Sequence, residues 1–120
     1  MSIPNQALAN LLQEIKIQAA QAQQQIDLVQ SQIRSKQREI RMLDLTSKEV
    51  TSLPPSTNVY QGVGKMFVYS PIQSLSQGLI CEMNDLKIDV ENLQKKLHYL
   101  ETTYKNSREH INQILKNGGQ

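Results

Sequence analysis

The sequence has no tryptophan and one phenylalanine, and aromatics make up only 4% of its 120 residues. Large aromatic side chains supply much of the buried area of a compact core, so this is poor material for one. The apolar fraction of 38% suits a chain whose apolar residues are drawn out along a seam. A single cysteine, Cys81, excludes an internal disulfide and fits a reducing compartment. An excess of one charge is missing too. Thirteen basic and 11 acidic residues leave +2, whereas counterion-release affinity for nucleic acid needs a concentrated basic surface. No stretch approaches the ~18 apolar residues that mark a membrane-spanning helix. The opening Met-Ser-Ile-Pro-Asn-Gln has neither the basic nor the apolar region of a secretory leader. The expectation is one domain in the cytoplasm, bound to neither nucleic acid nor membrane.

Proline is confined to Pro4, Pro54, Pro55 and Pro71. It removes a hydrogen bond and clashes inside a helix, so these four punctuate two long proline-free spans. The first span alternates by four and three through Leu8, Leu12, Ile15, Ala19, Ala22, Ile26, Val29, Ile33, Lys36, Ile40, Leu43, Ser47 and Val50. The second does so through Ile72, Ser76, Leu79, Met83, Leu86, Val90, Leu93, Leu97, Leu100, Tyr104, Ser107, Ile111 and Ile114. Eleven of thirteen positions are apolar in each, a sustained coiled-coil pattern. The glutamine-rich run at 21–25 keeps that period and is read as helix.

The first helix is predicted over 5–52, about 70 Å at ~1.5 Å per residue, and the second over 71–117. Ser70-Pro71-Ile72-Gln73 reads as the second helix's capping box, with Pro71 at its first position. Asn117, Gly118 and Gly119 end it. Folding one span on the other opposes Val50 to Ile72 and Leu8 to Ile114 in one unbroken register. Ala19 then faces Tyr104 and Ala22 faces Leu100, small against large. Lys36 falls opposite Leu86, within reach of Glu82 or Asp89.

Between the helices, after a turn-rich connector, lies Val59-Tyr60-Gln61-Gly62-Val63-Gly64-Lys65-Met66-Phe67-Val68-Tyr69-Ser70. Aromatic and β-branched residues fit a pleated surface, while Gly62, Gly64 and Lys65 interrupt them where a reversal needs φ > 0 or a bulge. Residues 53–70 are therefore expected to form a connector, a strand, a four-residue turn and a strand. A lone hairpin is marginal in water, and its edges invite another chain. Val59, Tyr60, Gly62, Val63, Gly64, Phe67 and Val68 are the candidate subunit-assembly residues, with the two glycines shaping the turn. The fold class expected is mostly α, a long antiparallel two-helix coiled coil joined by a central short β-hairpin.

Asn58-x-Tyr60-x-Gly62-Val63-Gly64-x-Met66-Phe67 between two heptad helices resembles the β-type subunits of prefoldin. Tyr99-Leu100-Glu101 and Ile111 to Leu115 are similar to one branch of them. Gly78 and Tyr69-Ser70-Pro71 depart from the family pattern and bear on where the second helix starts. The resemblance implies a hexamer of two α-type and four β-type subunits, its hairpins joined into a β-barrel platform and its coiled coils projecting as tentacles. It further implies holding of non-native proteins at the tentacle ends and ATP-independent transfer of actin and tubulin chains to the cytosolic chaperonin. Under that resemblance the client-binding residues are those gathered at the tip: Ile3, Leu8, Leu11, Leu12, Ile111, Ile114 and Leu115. Leu11 and Leu115 lie beside the seam and widen its apolar stripe, and exposed apolar surface of this kind marks binding sites.

The other candidates have plainer readings. Gly62-x-Gly64 lacks the third glycine and the helix start of a dinucleotide fingerprint. Arg34, Lys36, Arg38 and Arg41 lack aromatic company and read as a solvated helix face. His98 and His110 show no metal-ligand spacing, and Cys81 lies off the seam without a histidine partner. No catalytic residue, cofactor or metal is expected, since a two-helix arm offers no cleft. A structural coiled-coil tether of a trafficking or cytoskeletal complex is the rival reading, although a tether has no need of a central hairpin.

Overall fold

Two 47-residue helices flank one short hairpin in the computed structural model, which describes residues 5–118: α1 (Asn5–Thr51), β1 (Val59–Val63), β2 (Met66–Ser70) and α2 (Ile72–Gly118). All thirteen heptad positions of each helix are buried or half-buried. Among the described helical residues only Gln30, Asp44 and Leu75 join them. A 3.5-residue apolar repeat keeps one stripe of a helix facing a partner, and that stripe is what leaves solvent here. Fold class thus follows from the repeat: two long helices with a two-stranded antiparallel hairpin between them.

Packing divides the chain into two units, Met1–Gln32 with Leu93–Gln120, and Ile33–Asn92. In the first, Ile15, Ile26, Val29 and Leu100 are buried, Val29 most completely at 1% exposure. Each such side chain contributes on the order of 1.5–3 kcal/mol relative to exposure. Ala19 and Tyr104 line one shallow groove, as opposition of small to large requires. The Tyr104 ring is held from outside, because Arg108 Nη1 donates to its hydroxyl at 3.2 Å and the guanidinium lies 5.9 Å from its centroid.

In the second unit Ile33, Val50, Leu79 and Val90 are buried. Lys36 reaches across the seam to Asp89, with Nζ 3.5 Å from Oδ2. Both side chains keep a third or more of their surface exposed, so water screens the pair to well under ~1 kcal/mol. Its effect is to satisfy the one charged seam residue and fix its register. Ser76 is the uncompensated seam residue, since its buried Oγ has no hydrogen-bond partner.

The last turn of α1 disposes of its carbonyls locally. The Ser52 N–H is shared between the Lys48 and Glu49 carbonyls at 3.1 and 3.2 Å. The Thr51 and Ser52 hydroxyls donate to the same two carbonyls at 3.0 and 2.7 Å. These bonds satisfy acceptors that a helix end otherwise leaves unpaired, and Pro54-Pro55 follows. At the start of α2 the expectation shifts by one residue. Ser70 is the last residue of β2, paired with Val59, and the Pro71 carbonyl accepts the first helical bond from the Leu75 N–H at 3.0 Å. Pro71 is thus the cap rather than the first helical residue, because Ser70 is committed to the strand ladder.

Gly78 sits inside α2 with open space where a Cβ would be. Glycine costs about 1 kcal/mol relative to alanine in a helix interior. Gly78→Ala should therefore stabilise the chain by roughly that amount, read as a higher midpoint of thermal unfolding by circular dichroism at 222 nm. An unchanged or lower midpoint would show that the glycine relieves crowding absent from this structure.

Candidate functional site

The hairpin reverses through two residues. Val63 pairs with Met66, and Gly64 takes φ +62°, the only positive value in the described backbone. A two-residue loop with φ > 0 at its first central residue matches the II′ requirement, whose twist suits the flanking strands. The expected four-residue turn is therefore too long: only Gly64 and Lys65 lie between the strands, because Gly62 and Val63 join the ladder, and Gly64 supplies the positive φ. Gly62, expected to share that role, lies inside β1 opposite Phe67. Its part is packing: the Phe67 ring carbon Cε1 comes within 3.8 Å of where a Gly62 Cβ would stand. That distance is ordinary van der Waals contact, so the ring packs beside the glycine without blocking a Cβ.

Strand alternation and this register sort the side chains into two faces. One carries Val59, Gln61 and Val63 with Met66, Val68 and Ser70. The other carries Tyr60 and Gly62 with Phe67 and Tyr69. Tyr60 and Tyr69 meet edge to face, their centroids 6.2 Å apart, a cross-strand pair worth ~0.2–1 kcal/mol. Neither face is covered. Met66 is 71% and Phe67 76% exposed, and Tyr60, Val63, Val68 and Tyr69 are each exposed to half or more. Val59 alone of the predicted apolar set is half-buried.

Met66 and Tyr69 belong to this surface although they were not among the candidate assembly residues. The signal that finds them is parity. Once Gly64-Lys65 is fixed as the loop, Met66 falls beside Val63 and Tyr69 falls opposite Tyr60. Where the hairpin meets the helices, an open groove of about 680 Å³ is lined by ten residues, including Leu53, Pro55, Tyr69, Pro71 and Ile72.

The second candidate surface draws on both ends of the described chain, which belong to the same unit. Leu8, Leu12, Ile111 and Ile114 are half-buried seam residues, while Leu11 is 37% and Leu115 54% exposed. Half-burial is not confined to this end, since Ile40, Leu43, Leu86 and Leu97 share it, and Leu28, Met42 and Ile88 are more exposed than Leu11. Ile3 lies outside the described residues.

Three residues of the basic cluster keep the solvated face expected of them, and the fourth does not. Lys36 turns into the seam toward Asp89, while Arg34, Arg38 and Arg41 remain exposed. His98, His110 and Cys81 are exposed. Among the described residues no three His, Cys, Asp or Glu side chains gather where they could hold a metal ion, and no helix is long and apolar enough to cross a membrane.

Known proteins place the chain. The family described as "Prefoldin subunit" matches residues 13–118. A relative from Schizosaccharomyces pombe, "Probable prefoldin subunit 1", is 36% identical over 107 residues, covering 89% of this chain and 96% of its own. "Prefoldin subunit 1" of Homo sapiens is 28% identical over 102 residues, with 85% and 84% covered. The crystal structure of the prefoldin β subunit from Thermococcus strain KS-1 superposes with a TM-score of 0.81 at 25% identity, covering 95% of this chain and 96% of that one. The helix–hairpin–helix order and the match across nearly its whole length make this chain a member of the prefoldin family, a chaperone subunit that works with other prefoldin subunits.

Proposed function

We propose that the chain is one of four β-type subunits in a hexamer completed by two α-type subunits. In this reading it assembles through its hairpin and holds non-native proteins, actin- and tubulin-like chains among them, with the apolar residues at its helix ends. Release is to the cytosolic chaperonin, without ATP and without a catalytic step of its own. The observation that carries the reading is the hairpin, whose two faces are both apolar and both exposed. An isolated hairpin in that condition is marginal, and a partner strand or face completes it. Family membership favours this over the tether, which gives such a hairpin no work.

Holding needs a different surface, one open to a client after assembly. Leu11 and Leu115 provide it beside a seam that is only half-closed at Leu8, Leu12, Ile111 and Ile114. Each apolar contact is modest, on the order of 1 kcal/mol at ~25 cal/mol per Å². Several arms acting on one client raise the effective concentration of the next contact, so weak ends suffice when they are multiplied.

Two tests separate these surfaces. Phe67→Ala combined with Val68→Lys alters one residue on each hairpin face and leaves the seam intact. Co-purification with co-expressed prefoldin subunits should be lost while helicity stays near wild type. Normal co-purification would remove the hairpin from assembly.

Deleting Met1 to Asn10 together with Ile114 to Gln120 takes away Leu8, Ile114 and Leu115 but spares the hairpin. The truncated assembly should form normally and suppress aggregation of denatured actin several-fold less well. Full suppression would place client binding elsewhere on the arms.

A further inference from the structure

We infer that the groove between Lys16 and Arg108 selects acidic, apolar segments of a non-native client, with a carboxylate between the two cations and an apolar neighbour on the groove floor. The inference rests on the reading of the helix ends as the client surface and names the chemistry that one part of that surface prefers.

The two cations hold equivalent places. Lys16 follows the seam residue Ile15 and Arg108 follows the seam residue Ser107, so each flanks the seam on its own helix. Both line one hollow with Ala19, Tyr104, Ile111 and Asn112. Residues flanking a coiled-coil seam often carry opposite charges that pair across it, whereas these two carry the same charge. Neither has an acid three or four residues away, the spacing at which helical side chains meet. Glu101 and Glu109 stand four residues either side of Lys105 instead. Among the described residues the ion pairs are Lys36 with Asp89 and Lys48 with Asp44, so both cations of the groove go without a carboxylate. Arg108 is nevertheless held in place. Its guanidinium has five N–H donors, and the bond to the Tyr104 hydroxyl uses one.

The surroundings sharpen the contrast. The hollow beside Met42 is edged by two acids, Glu39 and Glu82, but Arg38 lines it as well, so it carries its own counter-charge. The Lys16–Arg108 groove has no acid in its lining. It also lies in the unit that has six basic residues and four acidic ones, and with them the whole net charge of the chain. Its floor is apolar, since Ala19, Tyr104 and Ile111 are half-buried there. A purely apolar side chain would cover that floor and leave two cations unanswered, and a bare anion would do the reverse. A glutamate or aspartate next to an apolar residue answers both, and about 260 Å³ is room for side chains of that size. A nucleic acid fits less well, because its affinity grows with the number of phosphates neutralised, and Glu14 and Glu109 stand close in sequence to the only two cations of the groove. Ile111 belongs to both the groove and the apolar helix ends, so one client segment can run from one to the other.

The test uses the assembled prefoldin that contains this chain. Asn112 is replaced by photo-reactive p-benzoylphenylalanine, and in a second preparation Ala20, one helical turn from Lys16, is replaced. Both positions are exposed. The probes are three peptides that alternate leucine with glutamate, glutamine or lysine, offered below saturation so that labelling reports occupancy of this arm alone. The glutamate peptide should label about threefold or more above the lysine peptide, as exposed charge pairs allow, and the preference should shrink at high salt. Lys16→Gln combined with Arg108→Gln should lower the glutamate peptide to the level of the glutamine peptide. Labelling by the glutamine peptide should itself stay unchanged, which a misfolded arm would not give. Equal labelling by the three peptides, a glutamate preference that survives the double substitution, or no labelling from either position would overturn the inference. Loss of the glutamate label to a short single-stranded RNA at equal concentration would also overturn it, in favour of a phosphate site. The two readings fail separately. If the truncated assembly holds denatured actin fully, the helix ends are not the client surface. If truncation weakens holding while the three peptides label alike, only the acidic preference is wrong.

Discussion

Uncovered apolar surface on both faces of a two-stranded sheet is the condition on which the rest of this molecule turns. Five residue pairs and one aromatic edge contact cannot offset the conformational entropy of ordering the strands, at roughly 1–2 kcal/mol per residue. The hairpin's own helices do not cover it, because Tyr60, Val63, Met66, Phe67, Val68 and Tyr69 all remain exposed. In the proposed reading its stability comes from outside the chain, and a family of multi-subunit chaperones is where such a hairpin belongs.

The helices meet a different constraint. Their seam leaves every heptad position buried or half-buried and carries one cross-seam ion pair, while Leu28, Met42 and Ile88 stay exposed outside it. In the proposed reading the hairpin carries the assembly contacts and the helix ends are left free of them. That division of labour suits a holding subunit. At the helix ends, half-buried Leu8, Leu12, Ile111 and Ile114 beside exposed Leu11 and Leu115 keep apolar surface available in small amounts. Small amounts also limit self-association.

The seam was legible in the sequence almost residue for residue, because a heptad repeat is a direct record of burial and both helices keep it without interruption. The hairpin's position was legible from its strand-forming residues and flanking prolines. Its details were not. Which glycine makes the turn depends on backbone twist, and only the positive φ at Gly64 separates it from Gly62. Met66 and Tyr69 could be assigned to faces only after the loop length was known, since a shift of one residue inverts every side chain. Ser70 reads equally well as a helix cap and as a strand end, and pairing with Val59 decides it. Lys36 had two acids within reach, and side-chain geometry selects Asp89. The client surface was inferred from a resemblance, and the exposure of Leu11 and Leu115 supports it without testing it.

Amide hydrogen exchange, followed in the isolated chain and in the assembled prefoldin, tests most directly whether the hairpin is completed from outside. Exchange reports local opening free energy. The amides of residues 59–70 should exchange within seconds in the isolated chain and slow by at least a hundredfold on assembly, a change of about 2.7 kcal/mol or more. Amides along the seam near Val29 and Val90 should change little. Equal protection of residues 59–70 in both states would contradict the account, because the hairpin would then be stable on its own helices and its exposed faces would need no partner.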